Sequence, residues 1–117
     1  MEAELTKRVA IAVTTDLLAR SRIEDAAERA GWRLDVTTAE GLAEMLAATR
    51  PDLLILDLDA GGASLLDQVG GLAEPPVRVV GFFSHVDTEL RDAAETAGCD
   101  AMPRGRFWRS LPDLLAD

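Results

Sequence analysis

Asp57 is the residue best placed for chemistry. It closes an unbroken apolar run, Leu53-Leu54-Ile55-Leu56, that Pro51 precedes and Gly61-Gly62 follows. So short a run between Pro and Gly reads as a strand covered on both faces. Open parallel α/β sheets bind ligands at the carboxyl ends of their strands, and an ionised carboxylate does not sit unpaired in an apolar core. Asp57 is therefore expected in an open crevice, facing solvent, a cation or a basic neighbour. Arg104 or Arg106 could reach back to it as a bidentate partner. With Arg109 they form the basic cluster of an acidic chain, either a solvated face or a contact for an anion or acidic partner. Asp57 is thus either a static, paired strand-end carboxylate or part of a switch.

The other reactive side chains point away from catalysis. Cys99 is the one cysteine, which excludes an internal disulfide and a multi-cysteine metal site. It reads as a small half-buried side chain, with nothing nearby to depress its pKa. His85 is the one histidine and reads as a polar loop residue. The two lie at opposite ends of a helix, so no Ser/His/Asp or Cys/His set can be placed. A Gly-x-Gly-x-x-Gly run after the first strand and a phosphate-binding P-loop are both lacking. The chain is not expected to be an enzyme.

The elements that must position Asp57 follow from pattern. The strand Arg8 to Val13 leads to Thr15 or Asp16, either able to cap a helix that runs to about Ala30. Leu18, Ile23, Ala26, Ala27 and Ala30 form its expected buried side, and Gly31 ends it. Trp32 to Val36 alternates apolar and charged, as a strand near a sheet edge does. Thr37-Thr38-Ala39-Glu40 has capping-box spacing. Leu42, Met45, Leu46 and Thr49 then continue a helix that Pro51 closes. Ser64 to Gly70 is a short helix with Leu65, Leu66 and Val69 inward, and Gly70-Gly71 and Pro75-Pro76 mark a loop. Val77 to Phe83 is the fourth strand, with Phe82 and Phe83 pointing to opposite faces. Asp87 is expected to cap the next helix, whose stripe is Leu90, Ala93, Ala94 and Ala97, stopped by Gly98. Ala101 to Pro103 is a brief fifth strand. Phe107, Leu111, Leu114 and Leu115 fit a last helix that Pro112 breaks or begins. Trp108 falls off that stripe, either exposed as a contact anchor or closing the helix base.

Five strands alternating with helices imply a parallel α/β class. The expected architecture is a three-layer α/β/α sandwich with a five-stranded sheet in the flavodoxin-like order 2-1-3-4-5. At 117 residues, 48% hydrophobic and 28% charged, the chain suits one soluble domain spanning 1–117. A net charge of −9 argues against a nucleic-acid surface. No stretch approaches the ~20 apolar residues of a membrane span. Met1 to Lys7 is charged and unlike a signal peptide, so a cytoplasmic location is expected.

Across nearly its whole length the chain resembles the receiver (CheY-like) domain of two-component response regulators. Pro51 to Asp57 is similar to that family's third strand, whose last residue accepts the phosphoryl group. Ala97-Gly98-Cys99-Asp100 is similar to the turn before its fifth strand. The resemblance makes Asp57 the phosphoacceptor equivalent and Ser84 the hydroxyl that meets the phosphoryl group; from the residues alone, Ser84 reads equally as a cap, spaced three from Asp87. Three departures follow. The acidic Mg²⁺-holding pair falls at Thr14 and Thr15, leaving Asp16 one step further. The family's lysine falls at Gly105, between Arg104 and Arg106. Ala60-Gly61 stands where Met-Pro is usual. Phosphoryl transfer depends on positioning and on a cation at the transferring oxygens, and Mg²⁺ held by Asp16, Asp57 and Asp59 should be weak.

The expectation is a stand-alone, atypical pseudo-receiver, inefficiently phosphorylated and without a cofactor. A domain ending at Asp117 would signal through a protein partner or self-association, on the surface from Asp87 to Leu115. The alternatives are a genuine Mg²⁺-dependent phosphoacceptor served by a histidine kinase, and a small-ligand-binding flavodoxin-like module.

Overall fold

The computed structural model describes residues 7–74, 76, 78–85 and 88–116. Strand β1 (Val9–Val13) leads to helix α1 (Leu17–Ala30), then β2 (Arg33–Thr37) and α2 (Leu42–Ala48). The central strand β3 (Leu53–Asp57) runs into a 3-10 turn (Leu58–Ala60) and α3 (Gly62–Gly70). Strand β4 (Arg78–Phe83), α4 (Thr88–Thr96), β5 (Asp100–Pro103) and α5 (Arg104–Leu114) follow. The five strands make one parallel sheet in the order β2-β1-β3-β4-β5. This is the flavodoxin-like order read from the sequence.

Period-two alternation divides the core between the sheet's faces. Leu53, Ile55, Val80, Phe82 and Met102 lie under α1 and α5, with Ile23, Phe107 and Leu111. Leu54, Leu56, Val79 and Phe83 lie under α2, α3 and α4, with Leu42, Leu65, Leu66 and Val69. Phe82 and Phe83 do serve opposite layers.

Several local expectations are corrected. Of the two caps expected for α1, Asp16 is the one used, its Oδ1 accepting from the N–H groups of Leu18 (2.9 Å) and Ala19 (3.2 Å). That cap turns Leu17 and Leu18 outward, 80% and 67% exposed, and leaves Ala19, Ile23 and Ala27 as the inward stripe. Ala30 and Ala93 are also exposed, and Thr49 follows α2 instead of belonging to it. The capping box at Thr37 does not form. Thr38 closes a turn through its Oγ1 to the Gly41 N–H (3.3 Å), and α2 starts after Gly41 without a side-chain cap. Helix α3 starts two residues early, at Gly62. Pro112 neither breaks nor begins α5 but lies within it. Proline there deletes only the N–H that would reach residue 108, while buried Phe107, Leu111 and Leu114 hold both sides of it to the core. Trp108 is half-buried, edge-on to Phe107 with centroids 4.9 Å apart and covered by the Arg22 guanidinium at 5.2 Å. It is not an open contact anchor. Val77 and the expected cap Asp87 lie outside the described residues.

Trp32 precedes β2 and is buried, its Nε1–H donating to the Leu115 carbonyl at 2.8 Å. Cys99 is fully packed, and burial together with the Asp100 charge pushes its thiol up to about 12. Such a thiol carries no nucleophilic chemistry at neutral pH.

Candidate functional site

Parallel strands deliver their carboxyl ends to one edge, and there the chain gathers residues far apart in sequence. Thr14 follows β1, Asp16 caps α1 and Asp57 ends β3. Asp59 sits in the 3-10 turn, Ser84 follows β4, and Arg104 opens α5. The turn after β3 forms because Asp57 caps it, its Oδ1 accepting from the Asp59 N–H at 3.1 Å. Gly61, at φ +105°, lets the chain leave that turn straight into α3, a conformation other residues rarely adopt.

Asp57 is only 2% exposed. Its expected place in an open crevice is therefore corrected: the carboxylate lies at the strand end, but beneath a cover. Thr14 Oγ1 donates to its Oδ2 at 2.7 Å, and Arg104 Nη2 approaches the same oxygen at 3.5 Å. Thr14 Oγ1 also accepts from the Asp16 N–H at 3.1 Å, so one hydroxyl joins the cap of α1 to the end of β3.

Arg104 is the cover. Its Nε donates to Asp59 Oδ2 at 3.2 Å and to Ser84 Oγ at 2.9 Å, and its Nη1 donates to Asp16 Oδ2 at 3.4 Å. One guanidinium therefore faces three carboxylates, each through a different nitrogen. The fixed fork of arginine suits such a task better than the point charge of lysine. Ser84 completes the mesh: its Oγ–H donates to Asp59 Oδ2 at 2.6 Å and its N–H to Asp59 Oδ1 at 3.2 Å. The guanidinium also lies over the Phe82 ring at 4.8 Å, a cation–π contact that fixes its plane.

The pKa directions follow these contacts. Asp16 is held below 3.8 first by the Ala19 N–H, against a desolvation cost, and then by the Leu18 N–H and Arg104. For Asp59 burial pushes upward, and the Ser84 hydroxyl, the Ser84 N–H and Arg104 together outweigh it, leaving a net lowering.

A receiver's Mg²⁺ needs hard oxygen ligands converging on one point. Here the carboxylates of Asp16, Asp57 and Asp59 converge on a guanidinium. Among the described residues no group of three His, Cys, Asp or Glu side chains could hold a metal ion. The residues as they lie do not fit the ion: at Asp16, Asp57 and Asp59, where no more than weak Mg²⁺ binding is expected, each carboxylate faces Arg104 instead.

Of the residues singled out from the sequence, Thr14, Asp16, Asp57, Asp59, Ser84 and Arg104 come together. Thr15 is exposed and stays outside, because the chain turns there from β1 into the cap at Asp16. Arg106, Arg109 and His85 are exposed as well. The Asp59 side chain was missed as a partner of Ser84; the signal was the strand order, which sets the turn after β3 beside the end of β4.

No protein-family model matches the sequence, and no curated protein does. Solved structures do. A response regulator from Thermotoga maritima superposes with a TM-score of 0.76 at 18% identity, over 93% of this chain and 94% of its own. The chemotaxis response regulator CheY4 of Vibrio cholerae gives 0.78 at 13% identity, over 94% and 97%. A response regulator receiver protein from Burkholderia phymatum gives 0.70 at 25% identity, over 93% and 95%. The chain has the flavodoxin-like α/β fold of CheY-like receiver domains.

Proposed function

We propose that this is a receiver-like signalling domain that works by protein contact and is not efficiently phosphorylated at Asp57. The observation that supports this is the Arg104 clamp: it fills the mouth, contacts Asp16, Asp57 and Asp59, and leaves Asp57 2% exposed. In-line attack by a carboxylate needs the phosphodonor within reach and a cation free to neutralise its oxygens. Both places are taken by a side chain. With the nucleophile covered, the domain's remaining resource is its surface. The contact face we propose is the described part of α4, β5 and α5, from Thr88 to Leu115; Asp87 is outside the described residues. Exposed along it are the acids Asp92, Glu95 and Asp100 and the bases Arg91, Arg106 and Arg109, so a partner with both signs of charge suits it. A nucleic-acid partner is disfavoured by the charge of −9. Among the described residues no helix is long and apolar enough to cross a membrane. The single cysteine fits the cytoplasm we assign.

The test is incubation with acetyl phosphate and Mg²⁺ followed by intact-mass measurement. The wild-type mass should stay unchanged. A one-phosphoryl gain that Asp57→Asn abolishes would instead make this a genuine phosphoacceptor.

A further inference from the structure

Resting on that contact reading, we propose that Arg104 is a tethered cation. It neutralises and cross-links the mouth, and it holds Ser84, the residue after β4, in one arrangement whatever the divalent metal content of the solution. Four observations carry this. Nε, Nη1 and Nη2 each face a different carboxylate, drawn from two parts of the chain: Asp57 at the end of β3 with Asp59 in the turn after it, and Asp16 before α1. Without a cation those three negative groups would stand together with one of them buried, a costly arrangement. The arginine is also delivered from a rigid base. Pro103 precedes it in extended backbone at φ −60°, and Phe107, one turn on, is fully buried and stacked on Phe82 at 4.6 Å. Finally, Ser84, Asp59 and Arg104 form a closed three-membered ring of hydrogen bonds. Ser84, though exposed, is thereby tied to both the Asp59 carboxylate and the guanidinium.

This is a site with a defined ligand chemistry. Cutting the side chain back to alanine should leave a recess for a planar N–H cation, which free guanidinium ion supplies. The experiment uses the full chain and no phosphodonor. Backbone amide spectra of the wild type are recorded with EDTA and then with Mg²⁺, and amide exchange at Ser84 is compared in Arg104→Ala, Arg104→Met and the exposed control Arg106→Ala. The wild-type amides of Thr14, Asp16, Asp57, Asp59 and Ser84 should not move with Mg²⁺. Ser84 exchange should quicken about tenfold in both Arg104 variants. Low-millimolar guanidinium chloride, but not equal sodium chloride, should reverse most of that in Arg104→Ala and do nothing to Arg106→Ala. Arg104→Met keeps a stem over Phe82, so it serves if the alanine variant does not fold; in that variant the quickening alone is read.

A saturable Mg²⁺ shift in the wild type overturns the proposal, as does unchanged Ser84 exchange in the Arg104 variants, or a folded Arg104→Ala that guanidinium does not rescue. The two readings fail separately. Phosphorylation of Asp57 in a protein that passes these measurements sinks the contact reading, whereas an Mg²⁺ shift without phosphorylation sinks only the tethered cation.

Discussion

Thr14 and Thr15 are neighbours of the same type with unequal roles. The Thr14 hydroxyl donates to a buried carboxylate and accepts from the Asp16 N–H, while Thr15 is exposed. Thr14→Val removes the donor but keeps the shape, leaving Asp57 one partner short in the interior. Urea unfolding should show a loss of about 2 kcal/mol, against less than about 0.5 kcal/mol for Thr15→Val. Equal losses would contradict the geometry. The acids give a pH signature of definite sign. Asp16 and Asp59 both sit below 3.8 in the folded chain. Their contribution is therefore fully present above that value and is lost as pH falls through the lower folded values. Thermal midpoints between neutral and strongly acid pH should drop in that window, and Asp16→Asn, which removes the charge that the Ala19 and Leu18 N–H groups stabilise first, should flatten the drop more than Arg104→Ala does; a profile that Asp16→Asn leaves unchanged would contradict the assignment. At this scale little could be read from the sequence. Asp57 and Ser84 were visible from their strands, but the choice of Arg104 over Arg106 depends on the direction in which the first residue of α5 points.

Elements were far more legible, because two periods, of two and of about 3.6 residues, are written directly in apolar spacing. The unbroken run Leu53 to Leu56 gave the central strand, and Phe82 beside Phe83 gave a strand with helices on both sides. Detail failed where short-range polar bonds decide it: the Asp16 cap, one of the two expected, turned Leu18 outward, and the Thr38 turn displaced the start of α2. A less visible constraint is Gly81 in β4. A Cβ there would lie 2.8 Å from Leu58 Cδ1 and 3.1 Å from Cys99 Sγ. Leu58 opens the turn that carries Asp59, so Gly81 lets that turn settle against the sheet. Gly81→Ala should cost about 2 kcal/mol in chemical denaturation and perturb the Asp59 and Ser84 amide resonances. A variant as stable as the wild type, with those resonances in place, would show that the turn does not depend on the glycine.

At the scale of the molecule, two long-range contacts hold the ends of the fold in register. Trp32, between α1 and β2, donates its indole N–H to the Leu115 carbonyl, joining the sheet edge to the last turn of the chain. Trp32→Phe should lower stability by about 1 kcal/mol, the net worth of a buried hydrogen bond, measured by thermal unfolding; no change would mean that water replaces the indole. The other contact is Arg104, which ties three segments to its own at the opposite, carboxyl edge of the sheet. Strand order could be read from alternation and right-handed crossovers, but not which cation lies among the three aspartates, because that depends on pairs separated by up to 88 residues. The most direct measurement is a crystal structure grown with Mg²⁺ and beryllofluoride present. The Arg104 guanidinium should still lie between Asp16, Asp57 and Asp59, with no metal and no fluoride adduct on Asp57. A metal ion coordinated there, with Arg104 swung into solvent and Asp57 carrying the beryllium, would contradict it.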